Sequence, residues 1–66
     1  MNLNQMLYFL TVAEELHFSR AARRLHISQP SLSARIRELE EELGIRLFAR
    51  VKKGVILTDN GARLIP

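Results

Sequence analysis

The sequence predicts a small, mainly α-helical domain with three core helices, a two-stranded β-hairpin and the start of a fourth helix. Apolar residues recur at three- and four-residue steps over the first two thirds of the chain, and serine, threonine and glycine separate these segments. Two short runs of branched or aromatic residues then flank a turn. With 66 residues and no cysteine, the chain has the size of one domain without disulfides.

Two helices are predicted in the first 25 residues, with a capping residue at the start of the second. Apolar residues predict the first helix from about Leu3 to Leu16. Ser19 is the expected N-cap of the second helix, which covers "RAARRL" and whose adjacent alanines favour close packing of another helix. His26 and Ile27 are expected to form the turn that follows.

The third helix has the clearest signals of the chain. Ser28 is its expected N-cap, Pro30 suits the first turn, where a missing N–H costs nothing, and Gly44 suits the C-terminal end. The predicted core stripe has an i, i+4, i+7, i+11 spacing and consists of Leu32, Ile36, Leu39 and Leu43.

A hairpin and a last helix are predicted after Gly44. The strands are "IRLFAR" and "VILT", and "VKKG" with Gly54 forms the turn. Thr58 is the expected N-cap of a helix opening in "DNGARLIP". Because the chain stops within this helix, we expect the natural protein to continue beyond it.

Two short helices joined by a tight turn, with basic residues around them, are typical of a helix-turn-helix, and the basic hairpin makes the winged form. The net charge is +3 and the sequence pI is about 10.2, which favours an anionic polymer as partner. A solvated basic surface is the alternative. Nine of the ten basic residues lie in the middle of the chain: Arg20, Arg23, Arg24, Arg35, Arg37, Arg46, Arg50, Lys52 and Lys53.

The start of the third helix carries small, uncharged side chains, which let a helix backbone approach base edges in the major groove of DNA. Gln29 can make a two-point contact with adenine, and Pro30 and Ala34 can lie against a thymine methyl group. Phosphate contacts are expected from Ser28, Ser31 and Ser33, and Arg35 and Arg37 can reach either phosphate or guanine. Taken singly, the serines can be caps, and Gln29 is uninformative.

Acidic residues occupy the far end of the third helix, at Glu38 and from Glu40 to Glu42. They would repel phosphate, so only the first two turns are expected in the groove. As a group, Glu40 to Glu42 have the ordinary interpretation of a solvated face.

The hairpin and the second helix supply the remaining expected contacts. Lys52 and Lys53 at the hairpin tip are placed like a wing that grips phosphates or enters the minor groove, although an ordinary solvated turn is possible. Arg50, and Ser19 with Arg20 at the start of the second helix, are expected at phosphates. The arginines at 23, 24 and 46 can serve solubility or surface ion pairs.

The stretch "FLTVAEELHFSRAARRLHISQPSLSARIRELEEELGIRLFAR", followed by "KKGVILTDNG", closely resembles the N-terminal DNA-binding domain of LysR-type transcriptional regulators, from about Leu3 to Ile65. The motifs that carry the resemblance are F-x-x-V-A-E, A-A-x-x-L-H-I-S-Q-P-x-L-S, L-E-x-x-L-G, L-F-x-R and L-T-x-x-G.

The resemblance implies a winged helix-turn-helix over residues 1–58 and the start of a linker helix over residues 59–66, which would extend through Pro66. It implies a longer bacterial regulator that binds double-stranded operator DNA and forms dimers or tetramers through the linker helix. A C-terminal domain, absent from this chain, would bind a small-molecule inducer.

The resemblance also attributes base reading to Gln29, Pro30 and Ser33, and wing contacts to Arg50, Lys52 and Lys53. Ala34 stands where relatives often carry a base-reading arginine, which leaves the preferred half-site open. A thymine methyl contact by Ala34 and a shifted role for Arg35 are the two hypotheses.

Two other classes of function compete with DNA binding. Winged helices sometimes bind proteins instead, in which case "DNGARLIP" would be the contact surface. Catalysis is disfavoured because no nucleophile–base pair or phosphate-binding glycine loop is visible, and no cofactor is expected. No membrane span or signal peptide is predicted, so we expect a cytoplasmic, nucleoid-associated protein.

Overall fold

The helices and the hairpin form in the predicted order. The structure is a computed structural model and describes residues 1–66. Its elements are α1 (Leu3–Glu15), α2 (Phe18–Leu25), α3 (Gln29–Leu43), β1 (Phe48–Val51), β2 (Gly54–Leu57) and α4 (Asp59–Leu64). This architecture is the expected winged helix-turn-helix, with the hairpin as the wing.

Polar side chains begin α1 and α2, and the cap of α2 differs from the prediction. Asn2 caps α1 by accepting the N–H of Gln5 at 2.8 Å. Ser19 as the cap of α2 is wrong, because His17 Nδ1 accepts the backbone N–H of Arg20 at 3.4 Å. The helix therefore begins at Phe18, and Ser19 lies in its first turn with its hydroxyl 2.9 Å from the same ring nitrogen.

The core lies where α1, α2 and α3 meet the base of the wing. The rings of Phe9 and Phe48 have centroids 5.6 Å apart, and Phe18 packs edge-on against Phe48 at 6.0 Å. Ala21 and Ala22 are buried, as expected for a close helix contact. The buried apolar residues are Phe9, Val12, Ala21, Ala22, Leu32, Ile36, Leu39, Leu47, Phe48 and Val55.

The wing is a two-stranded antiparallel hairpin whose strands pair from Phe48 opposite Leu57 to Val51 opposite Gly54. The two lysines at positions 52 and 53 form its turn. The predicted first strand is too long: residues 45–47 lie outside β1. The Leu47 N–H bonds a carboxylate of α3 instead of a strand partner.

Thr58 caps α4 as predicted, since its side chain accepts the N–H of Gly61 at 3.0 Å. The helix ends at Leu64, and Ile65 has an extended backbone (φ −67°, ψ 128°), the conformation that a following proline favours. Pro66 thus lies outside the helix here. None of the helices combines the length and the apolar character that crossing a membrane requires.

Candidate nucleic-acid interface

The N-terminal end of α3 is polar, uncharged and open to solvent. Gln29, Pro30 and Ser31 are exposed, whereas Ser33 and Ala34 on the next turn are half-buried. Ser28 caps the helix by accepting the Ser31 N–H at 3.1 Å. Since Pro30 has no N–H, the N–H of Gln29 is the first-turn donor left for a ligand.

Ser28→Ala is expected to destabilise the domain by about 1 kcal/mol because the cap is lost. A change of this size lowers Tm by about 4–8 °C in a domain of this length, measured by circular dichroism. Ser33→Ala is the matched control, since the Ser33 hydroxyl makes no hydrogen bond within the protein. Equal melting temperatures for the two variants would contradict the capping role.

Ion pairs within the protein engage four of the ten basic side chains. Arg20 pairs with Glu15 at 3.4 Å, and Arg35 pairs with Glu38 at 3.0 Å, so two of the predicted phosphate ligands have carboxylate partners. The other two engaged cations are Arg24 and Arg46. Hydrogen bonds to neighbouring glutamates raise the pKa of Arg24 above its ordinary value.

The six basic side chains without an ion pair include four of the predicted contacts. These four are Arg37 on α3, Arg50 on β1, and Lys52 and Lys53 in the turn; the other two are Arg23 and Arg63. Positive charge unopposed by a carboxylate is thus available beside the uncharged start of α3.

Two shallow grooves join α3 to the wing. One, of about 210 Å³, is lined by Ser19, Gln29, Arg50 and Lys52, among others. The other, of about 150 Å³, is lined by residues that include Ser33, Arg37 and Arg50. Arg50 borders both grooves. We call the surface formed by Gln29, Ser33, Arg37, Arg50 and Lys52 the α3–wing face.

Phe18 explains how Arg50 is held at the centre of this face. The guanidinium carbon of Arg50 lies 6.0 Å from the centroid of the Phe18 ring, within the range of a cation–π contact. Phe18 is the first residue of α2. The start of α2 therefore supports a cation of the wing, although Phe18 carries no polar group that would mark it in the sequence.

Glu40 is a second residue that the sequence interpretation missed. Its carboxylate accepts the backbone N–H groups of Leu47 at 2.8 Å and Phe48 at 3.4 Å, and its side chain is only 13% exposed. The expectation of a solvated face is therefore wrong for Glu40, because its carboxylate turns towards the wing. Glu41 and Glu42 are exposed as expected.

The sequence matches the family described as bacterial regulatory helix-turn-helix protein, lysR family, over residues 3–62. It is 55% identical over 64 residues to the HTH-type transcriptional regulator XapR of Escherichia coli K12. The aligned residues cover 97% of this chain and 22% of XapR. It is 54% identical over 61 residues to the HTH-type transcriptional regulator AlsR of Bacillus subtilis 168, covering 92% of this chain and 20% of AlsR. The chain thus spans about a fifth of each of these relatives.

Solved structures agree with the sequence matches. The fold superposes on a crystal structure of a CbnR_DBD–DNA complex with a TM-score of 0.93 and 38% identity, covering 98% of this chain and 75% of that one. A BenM_DBD/catB site 1 DNA complex gives a TM-score of 0.91 and 46% identity over 96% of this chain and 70% of that one. The relatives are regulators rather than enzymes, and the chain belongs to the lysR family of bacterial regulatory helix-turn-helix proteins.

Proposed function

We propose that this chain is the sequence-specific DNA-binding module of a bacterial transcriptional regulator. The observation that carries the proposal is the α3–wing face, where unpaired cations flank an uncharged helix start. In this arrangement α3 enters the major groove and the wing follows the adjacent minor groove of a dyad operator. CbnR and BenM, whose DNA-binding domains have this fold, were solved in complexes with DNA.

Base reading is assigned to Gln29, Pro30, Ser33 and Ala34. At ~100° per residue, Gln29, Ser33 and Arg37 follow one another within about 80° on one side of α3. The exposed Gln29 can donate to and accept from adenine, and the small side chains behind it keep the helix close to the bases. The thymine methyl group is the partner proposed for Pro30 and Ala34.

Phosphate binding is assigned to side chains around this helix start. Arg37, Arg50, Lys52 and Lys53 are free to bind at once. Arg35 would exchange its exposed partner Glu38 for phosphate at a small cost, because surface ion pairs are weak. Arg20 would give up the half-buried Glu15. The assigned hydroxyl donors are Ser19, Ser28 and Ser31.

The assembly proposed for the full-length protein is a dimer or tetramer in the cytoplasm, associated with the nucleoid. Residues 59–66 would begin the linker helix that pairs two copies on the two halves of the operator. A C-terminal domain would bind a small-molecule inducer and change the spacing of the paired modules. Full-length CbnR, which has this fold in its DNA-binding part, was solved in complex with its target DNA, and this supports DNA as the partner.

Selection from a randomised duplex library at fixed salt tests the proposal. Wild type is expected to enrich a dyad with A and T in each half, and Gln29→Ala is expected to lose ~1–3 kcal/mol of affinity for that site. Asn4→Ala is the control, because it truncates an exposed amide on α1, outside the α3–wing face. Equal binding of all sequences by wild type would contradict sequence-specific recognition.

A further inference from the structure

Glu40 connects α3 to the wing through the chain between them. Its own carbonyl accepts the N–H of Gly44 at 2.8 Å and of Ile45 at 3.2 Å, which closes the C-terminal end of α3. Its carboxylate accepts the N–H of Leu47 and of Phe48 just beyond. One residue therefore fixes both the end of α3 and the start of β1.

The same short segment is held on its other side by the start of α4. The Thr58 N–H donates to the Leu47 carbonyl at 3.0 Å, and the Thr58 hydroxyl donates to the Arg46 carbonyl. Gly61 lies so close that a Cβ atom there would be 2.3 Å from the Leu47 oxygen. With Thr58 on its carbonyls and Glu40 on its N–H groups, this segment has little freedom to move.

The position of the wing depends on this segment because β1 begins directly after it. Leu47 and Phe48 are buried in the core. Lys52 lies four residues after Phe48, and the intervening β1 transmits any displacement of Phe48 to the turn. The contacts of Glu40 are therefore among those that set the distance from the start of α3 to the turn lysines.

We propose that Glu40 is a positioning residue for DNA binding, which holds the wing at the angle to α3 that lets Lys52 and Lys53 reach the DNA backbone. The inference rests on the proposed function. It predicts that removal of the negative charge of Glu40 lowers the affinity for DNA. A carboxylate near a polyanion ordinarily weakens binding, so its removal should strengthen binding, whereas removal of a positioning carboxylate should weaken it.

The test compares Glu40→Ala with Glu41→Ala on one duplex over a range of salt. Both variants lose one negative charge from neighbouring positions. The Glu41 side chain makes no hydrogen bond or ion pair, whereas Glu40 binds two backbone N–H groups and pairs with Arg46 at 3.5 Å. Glu40→Ala is expected to bind about tenfold more weakly with a smaller salt slope, and Glu41→Ala as tightly as wild type or tighter. Removal of both turn lysines should then cost less in Glu40→Ala than in wild type.

Two further variants keep the test decisive. Glu40→Gln retains an acceptor oxygen and should bind nearly as wild type. Glu40→Asp retains the charge, but its side chain is too short to bond the N–H groups of Leu47 and Phe48, so it should weaken DNA binding. This variant replaces Glu40→Ala in the test if Glu40→Ala does not fold. If folded Glu40→Ala and Glu41→Ala bind alike, or Glu40→Asp binds as wild type, the positioning role is overturned while DNA binding stands. Failure of wild type to bind any duplex would overturn both.

Discussion

Gly54→Ala is expected to destabilise the domain by about 2–4 kcal/mol, from backbone strain combined with a lost hydrogen bond. Gly54 has φ +139°, a conformation that residues with a side chain rarely adopt. A Cβ atom there would lie 2.3 Å from the carbonyl oxygen of Leu16. Backbone must move to relieve this contact, and the same oxygen accepts the Val55 N–H at 3.1 Å, the bond that ties the wing to the end of α1.

The expected loss is a large part of the stability of such a small domain. A chain of this length has a free energy of unfolding of roughly 3–10 kcal/mol. Each kcal/mol lost lowers Tm by about 4–8 °C, so thermal unfolding followed by circular dichroism resolves the effect easily. If the variant retains a fold, its wing should be released first, with faster amide exchange in β1 and β2 than in α3.

Gly44→Ala is the matched control for this effect. Gly44 also has a positive φ, +70°, but apart from its chain neighbours and the adjoining helix backbone no atom lies within 4 Å of the position of its Cβ. Its substitution should cost about 1 kcal/mol, the strain of the left-handed conformation alone. The difference between the two variants measures the close approach of Gly54 to α1. Equal melting temperatures would show that this approach contributes nothing.

Local signals in the sequence predicted the helices well because caps and periodicity act over a few residues. Ser28, Thr58 and Gly44 occupy the capping positions expected of them. The apolar stripe of α3 is buried at Leu32, Ile36 and Leu39. These features depend on neighbours within one or two turns, so the linear sequence contains most of the information.

The features that the sequence did not predict depend on which of several candidate partners a side chain contacts. The cap of α2 is His17 rather than Ser19, because the His17 ring nitrogen accepts the backbone N–H of Arg20. In the sequence Glu40 is one of a run of charged residues, but the chain after Gly44 folds back against α3 and donates a backbone N–H to its carboxylate. The sequence also did not predict which basic side chains lack an ion pair. Arg20 and Arg35 have carboxylate partners, and Arg50 does not.

Simultaneous replacement of Lys52 and Lys53 by alanine is expected to lower the salt dependence of DNA binding more than any single change on the α3–wing face. Each phosphate contact by a cation contributes ~0.9 units to the slope of log K against log salt. Two contacts therefore account for roughly 1.8 units, equivalent to a loss of about 60-fold in affinity at 0.1 M salt that vanishes near 1 M. Fluorescence anisotropy on a labelled duplex measures both quantities.

The control for this prediction is Arg23→Ala combined with Arg63→Ala, because both variants remove two unpaired positive charges. Arg23 and Arg63 line neither groove between α3 and the wing. If binding depended on net charge alone, the two double variants would lose affinity equally. A wing that touches the backbone requires the lysine variant to lose more, and its sequence preference to persist, since phosphates carry no base information. Gln29→Ala should show the converse, a changed preference with an unchanged slope, because Gln29 reads bases without releasing counterions.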